Sequence, residues 1–534
     1  MDSSRKIKIF DTTLRDGQQC PGAGMNFEEN LAYAELAHQA GVDVLEAGFP
    51  SASKVDFEIV REIASLYGEK KSSPTVAGLC QLRMAQVEKT IDALQPVTQV
   101  GRSRMHVYLP VDPKLMEASL GKERAENKAA LVVDLGEAVE KAVKAGLEVE
   151  FSPEGYSRMA GNFDFVTDLI AAAVGAGASV INCPDTIGGG CWLQGENYFV
   201  KNLSKHAAII DEKFPGNEVT WSAHCHNDFG LALHNSLAAV FDGPCRQIEG
   251  CFNGVGERAG NVSLEQCIMV IKHFAACGNS KEPFYTDIET EKIAEVCAFV
   301  ADRMLPSQPH WPVSGYNAAR HSSGGHTNAV IKNPLAYQPF DPKEVGQEIS
   351  MIFGPLSGGN HAKSIIESFG YRCEEDEKAN VAQYIKDRFS DRRKGITDKE
   401  LFEGYFDYRK PINVSGFDYS RSSNKSEIFL KGRFFEVDGD FSASSTGKDS
   451  ALAALKKAID QYYPGLKIQN YRSESSGEGI SSTSVSTILL EDEKENVFEG
   501  QGEDQDLEIA AMKALINAAN LAYVDTHYRI KKNG

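Results

Sequence analysis

One pattern constrains this chain more than any other. From residue 7 to about 277, a short β-branched or apolar run, an amphipathic stretch and a glycine-bearing stop recur eight times. The runs begin with KIKIF and continue through VLEAGF (44–49), TVAGLC (75–80), RMHVYLP (104–110), EVEFSPE (148–154), SVINCPDT (179–186), VTWSAHCH (219–226) and QIEGCFN (247–253). Strands alternating with helices imply a parallel sheet. Eight units in so short a span predict an α/β fold, a closed (β/α)8 TIM barrel over 1–280, in preference to an open doubly wound sheet. Gly41, Gly146, Gly177 and Gly243 stand where the helices should stop, a place where positive φ is useful.

After 280 the alternation ends. Residues 286–305 read as one amphipathic helix, 309–360 as irregular structure rich in Gly, Pro, His and Asn, and 376–410 as charged helix. A linker region with helical subdomains is therefore expected over 281–425, with SRSSNKS (420–426) as its polar end. A small α+β C-terminal regulatory domain is expected over 426–534, where strand pairs, each with a helix, suggest a duplication able to pack on a copy of itself.

Composition narrows the partners. Lys plus Arg (56) against Asp plus Glu (75) gives 56 − 75 = −19, which disfavours duplex nucleic acid and anionic membrane. No run approaches the ~18 apolar residues of a membrane helix, and the start lacks an apolar signal core. Eleven cysteines without a C-x-x-C pair suggest reduced thiols and a cytoplasmic address.

In barrels of this kind the active site forms at the carboxyl ends of the strands. Arg15, Asp16, Glu46, His106, Glu154, Asp185, Thr186, His224, His226 and Asn253 all fall in or at the end of a strand. His224 and His226 share a strand face, so both imidazoles can reach one point. With Asp16 they make a divalent-metal set, and Asn261 is a weaker oxygen ligand or a supporting group. The alternative is a satisfied polar pair. Cys225, facing the other way, reads as a buried thiol. Arg15 offers a planar fork for a carboxylate or enolate oxygen, or else a structural ion pair with Glu46 or Glu154. In NGVGERAGN (253–261), Asn253, Gly254 and Gly256 could let backbone approach a phosphate or thioester, while Glu257 and Arg258 could simply pair.

FDTTLRDGQQ (10–19), GVDVLEAGFPSAS (41–53), INCPDTIGG (181–189), AHCHNDFGLALHNSLAAV (223–240) and NGVGERAGN (253–261) together resemble the 2-isopropylmalate synthase/homocitrate synthase family. HSSGGHTNAVIKNP with LAYQPFDPKEVG (321–346) is similar to that family's linker subdomain, and GQGEDQDLEIAAMKALINA (500–518) to the allosteric domain of its 2-isopropylmalate synthases. The resemblance implies one divalent ion (Mn2+, Zn2+ or Mg2+) on Asp16, His224, His226 and Asn261. It implies Arg15 as the 2-oxoacid and alkoxide holder, and Glu154, His326 and Tyr337 as proton-handling groups. It also implies His106 and Thr186 as pocket lining. The expected reaction joins acetyl-CoA to 3-methyl-2-oxobutanoate, with 2-oxoglutarate or pyruvate as the acceptor in the alternative. Leucine is the expected effector and a homodimer or higher homo-oligomer the expected assembly. A metal-dependent hydrolase and a leucine sensor with a retired barrel are the readings from other classes. The first is disfavoured because the H-x-H ends the seventh strand rather than the first, the second because Arg15, Asp16, His224, His226 and His326 are retained.

Overall fold

The computed structural model describes residues 5–190, 198–274, 283–446, 450–476 and 483–530. Eight parallel strands close into a barrel in sequence order. They are β1 (Lys8–Asp11), β2 (Val44–Glu46), β3 (Thr75–Gln81), β4 (Ser103–Pro110), β5 (Glu148–Glu154), β6 (Val180–Asp185), β7 (Thr220–Cys225) and β8 (Cys245–Gly250). Closure comes where β1 pairs with both β2 and β8: Asp11 opposes Leu45 on one side and Gly250 on the other. The apolar faces of the surrounding helices and the outward residues of the strands form one continuous core.

Three of the four expected helix stops take the left-handed conformation, Gly41 at φ +78°, Gly146 at +89° and Gly177 at +105°. Gly243 differs. Its φ is ordinary, and glycine is required there because a Cβ would lie 2.6 Å from the Ala239 carbonyl oxygen.

The barrel interior departs from the aliphatic layers usual in this fold. Period-2 alternation turns Glu148, Glu150, Ser152 and Glu154 of β5 to one face. The neighbouring strands add Arg104, Ser222, Gln247 and Glu249, and all of these except Glu148 and Glu154 are buried. Arg104 donates to Glu148 (2.7 Å), Glu150 (3.0 Å) and Gln247 (2.9 Å). A buried guanidinium is tolerable only with partners this close.

The chain divides into two compact units, Met1–Ala319 with Gln338–Ile349, and Arg320–Tyr337 with Ser350–Gly534. The region expected as one linker over 281–425 is thus shared between them. The helix expected over 286–305 is confined to Ile293–Arg303, behind a short 3-10 turn.

In the second unit, helices Gly359–Ser368, Lys378–Arg388 and Asp398–Arg409 enclose a small core around Ile366, Ile385 and Tyr405. The α+β tail then begins at Ile412. Residues 420–426, expected as a linker, are instead the turn region of a hairpin between Ile412–Arg421 and Lys425–Phe434. Each half of the tail is a three-stranded antiparallel sheet followed by a helix: Ala451–Tyr462 after the first, Leu507–Tyr528 after the second. The last helix is the one element among the described residues long and apolar enough to cross a membrane, which the sequence pattern did not anticipate. Its alanines pack on strand Val497–Asp504, where Gly500 and Gly502 make room. A Cβ on either would come within 2.3 Å of the helix backbone.

Candidate active site

Of the barrel residues singled out above, Arg15, Asp16, His106, Glu154, Thr186, His224, His226, Glu257 and Arg258 line one cavity at the strand ends, with Glu46 bonded behind Arg15 and His106; Asp185 is instead held by Ser157, Asn235 and the Gly190 amide. The lining comprises Arg15, Asp16, Gln19, Phe49, Leu79, His106, Tyr108, Ser152, Glu154, Asn182, Pro184, Thr186, His224, His226, Glu257 and Arg258.

Asp16, from the turn after β1, meets the two histidines of β7, with donor atoms of all three within 4.8 Å of one another. His224 Nε2 lies 3.3 Å from His226 Nε2 and 3.8 Å from Asp16 Oδ2. Burial, then the neighbouring His226, lowers the His224 value to about 3; His226 is lowered too, by burial first. Both rings are therefore neutral at ordinary pH. Burial alone would raise Asp16, but Arg15 and the imidazoles overcome it and hold the carboxyl well below the usual range. Two neutral ring nitrogens converging on a carboxylate form a donor set matched to a divalent cation.

Asn261 supports the same point. Its Nδ2 donates to Asp16 Oδ1 (2.6 Å) and to the Val255 carbonyl (3.0 Å), while its Oδ1 is buried without a partner. These residues fit a cation, with Asn261 both orienting Asp16 and offering an oxygen.

In the glycine-rich loop, the space beside the Cα of Gly254 and of Gly256 is filled by the protein itself. A Cβ on Gly256 (φ +153°) would fall 2.2 Å from Asn261 Nδ2 and 3.0 Å from Asp16 Oδ1. One on Gly254 would meet Ser263 Oγ at 2.6 Å. The glycines let the loop close around Asp16 and Asn261. Asn253 is held in the scaffold, donating to the Cys297 carbonyl (2.6 Å) and accepting from Ser314 Oγ (3.0 Å).

Arg15 lines the cavity and forms the structural ion pair with Glu46, donating to Glu46 Oε2 (2.5 Å) and to Asp16 Oδ2 (2.6 Å). Glu46 carries the network inward through His106 Nδ1 (2.7 Å), and His106 Nε2 continues to Ser152 Oγ (2.7 Å). Burial opposes ionisation of Glu46, yet Arg15 and His106 pull its value below normal. An ionised Glu46 accepts, which places the ring proton of His106 on Nδ1. Glu154 is the opposite case: burial raises it, Arg15 only partly offsets this, and Glu257 adds to it.

Thr186 accepts from the Gly155 amide (2.9 Å), tying the β5 and β6 loops together. Arg258 binds Asp228 through two bonds of 2.8 and 3.0 Å in preference to Glu257, 3.9 Å away. Cys225 is buried. His326 and Tyr337 belong to the second unit, where they are exposed and stacked on each other with ring centroids 3.9 Å apart. Sequence reasoning missed Ser152 and Asn182 in the wall and Glu150 and Glu249 beneath. The polar alternation of β5 and the lone acid in QIEG were the available signals.

Comparison with known proteins agrees with this geometry. The HMGL-like family matches residues 6–300, the homocitrate synthase post-HMGL domain-like family 313–394, and the LeuA allosteric (dimerisation) domain 405–523. A Neisseria meningitidis serogroup B 2-isopropylmalate synthase is 32% identical over 97% of this chain and 96% of its own length. One from Caulobacter sp. strain K31 is 32% identical over 96% and 94%. One from Prochlorococcus marinus strain MIT 9301 is 33% identical over 96% and 93%. A barrel with this strand-end cluster, its two following domains and relatives matched almost end to end place the chain in the 2-isopropylmalate synthase/homocitrate synthase family of acyltransferases.

Proposed function

We propose that the chain condenses acetyl-CoA with 3-methyl-2-oxobutanoate to give 2-isopropylmalate and CoA, the first committed step of leucine synthesis. The observation that carries this reading is the convergence of Asp16, His224 and His226 beside Arg15 in the barrel mouth. A divalent ion held there, Mn2+, Zn2+ or Mg2+, supplies Lewis-acid polarisation of the acceptor's oxygens. Arg15 holds the acceptor carboxylate and faces the oxygen on which charge develops. Glu154 retains a proton more readily than an ordinary carboxyl and so suits proton transfer. His326, assisted by Tyr337, is assigned the acetyl proton on the family resemblance of the 321–346 stretch, an imidazole being able to take and return a proton.

The cavity's cations among the described residues are Arg15, assigned to the acceptor's first carboxylate, and Arg258, which is paired with Asp228. That disfavours 2-oxoglutarate, whose second carboxylate needs a free cation. Phe49, Leu79, Tyr108 and Pro184 suit an alkyl branch better than the bare methyl of pyruvate. An acceptor screen with free-CoA detection tests this: turnover with the branched oxoacid is expected, and turnover with 2-oxoglutarate or pyruvate alone overturns it.

The tail from Ile412 onward is assigned regulation by leucine and self-association, supported by its match to the LeuA allosteric (dimerisation) domain. Leucine should lower turnover of the full chain; indifference to leucine would assign the tail another effector. The nine cysteines among the described residues are buried, which suits the reduced cytoplasm proposed for this enzyme.

A further inference from the structure

Histidine ligation leaves a second ring nitrogen to account for. If His224 presents its Nε2 lone pair to the cation site, its proton sits on Nδ1. That Nδ1 is buried and has no hydrogen-bond partner. A buried donor left unpaired costs roughly 1–3 kcal/mol, so the fold is expected to keep an acceptor close by. Glu249 supplies one. It opposes His224 directly in the β7–β8 register, is fully buried, and brings Oε2 to 3.8 Å from Nδ1. Its carboxyl is steadied by Asn182 Nδ2 (3.1 Å) and Ser222 Oγ (3.2 Å).

We propose that Glu249 is a positioning residue for the metal centre: its Oε2 accepts the Nδ1 proton of His224 and so fixes the ring with Nε2 toward the cation. The contact is beyond hydrogen-bond length as it stands, and closing it takes less than 1 Å. Outer partners of this kind commonly change metal affinity 10–100-fold when removed. The inference rests on the metal reading above.

The test titrates Mn2+ into metal-stripped full-length protein and reads the dissociation constant, with turnover followed separately. Glu249→Met, similar in shape but without an acceptor, should bind at least 10-fold more weakly. Glu249→Gln, which keeps one acceptor oxygen, should stay within about 3-fold of the parent. Parent-like affinity in Glu249→Met, or equal weakening in Glu249→Gln, overturns the proposal. If Glu249→Met does not fold, 15N spectra of the Zn2+-loaded parent decide. A His224 proton on Nδ1, protected from exchange, supports the role, and ligation through Nδ1 overturns it. A parent chain that binds neither ion would instead defeat the metal reading itself.

Discussion

Two positions in the site have no room to change. Asp16 is tied to Arg15 and Asn261, so Asp16→Ala removes a ligand and one of the two carboxylate partners of Arg15; loss of Mn2+ binding at least 100-fold is expected by titration, and unchanged affinity would remove Asp16 from the ligand set. Gly256→Ala tests the loop more subtly. The new Cβ would collide with the Asn261 amide that orients Asp16, so metal affinity and turnover should fall at least 10-fold, while far-UV spectra stay parent-like. At this scale much was legible. Arg15, Asp16, His224 and His226 stand out because ionisable residues at strand ends are conspicuous among apolar neighbours. The role of Asn253 was not legible, because nothing local shows that its amide is taken by the Cys297 carbonyl, far along the chain.

At the scale of elements, all eight barrel strands follow from the recurrence of strand-like and helical stretches; most read as compact apolar runs, while β5 (EVEFSPE) and β8 (CRQIEG) carry polar side chains on the inward face. The strands of the tail were harder. Val437–Thr446 and Val497–Asp504 are rich in Ser, Gly and acids, and their pairing comes from hairpin register and helix cover rather than from their own hydrophobicity. The polar barrel interior yields a stability prediction. Arg104→Met leaves Glu150 buried and without its cation, so unfolding should cost about 3–5 kcal/mol less. Adding Glu150→Gln should restore part of that, as read by denaturant midpoints. A second prediction concerns acid. His206 is fully buried between Tyr156 and Phe163, and burial lowers its value to about 4. The unfolded chain takes up that proton first. This contribution is therefore intact above pH 6.5 and is lost as pH falls toward 4, up to about 3 kcal/mol. His206→Gln should flatten the acid limb of a Tm-against-pH curve; an unchanged limb would assign acid sensitivity elsewhere.

For the molecule as a whole, three parts follow one another along the chain: a barrel whose strand ends gather Asp16, His224 and His226, a region bearing His326 and Tyr337, and a duplicated α+β tail. The tail's start at Ile412 matters in practice, because a cut near residue 425 would sever a hairpin rather than a linker. In the proposed reaction Asp16, His224 and His226 share one divalent ion on which acceptor activation depends. Free-CoA release from acetyl-CoA and 3-methyl-2-oxobutanoate, followed while metal-stripped protein is titrated with Mn2+ or Zn2+, tests this. No release is expected without metal, and a rise that saturates at one ion per chain with it. Full release from the stripped protein, or saturation unaltered in Asp16→Ala, would contradict it.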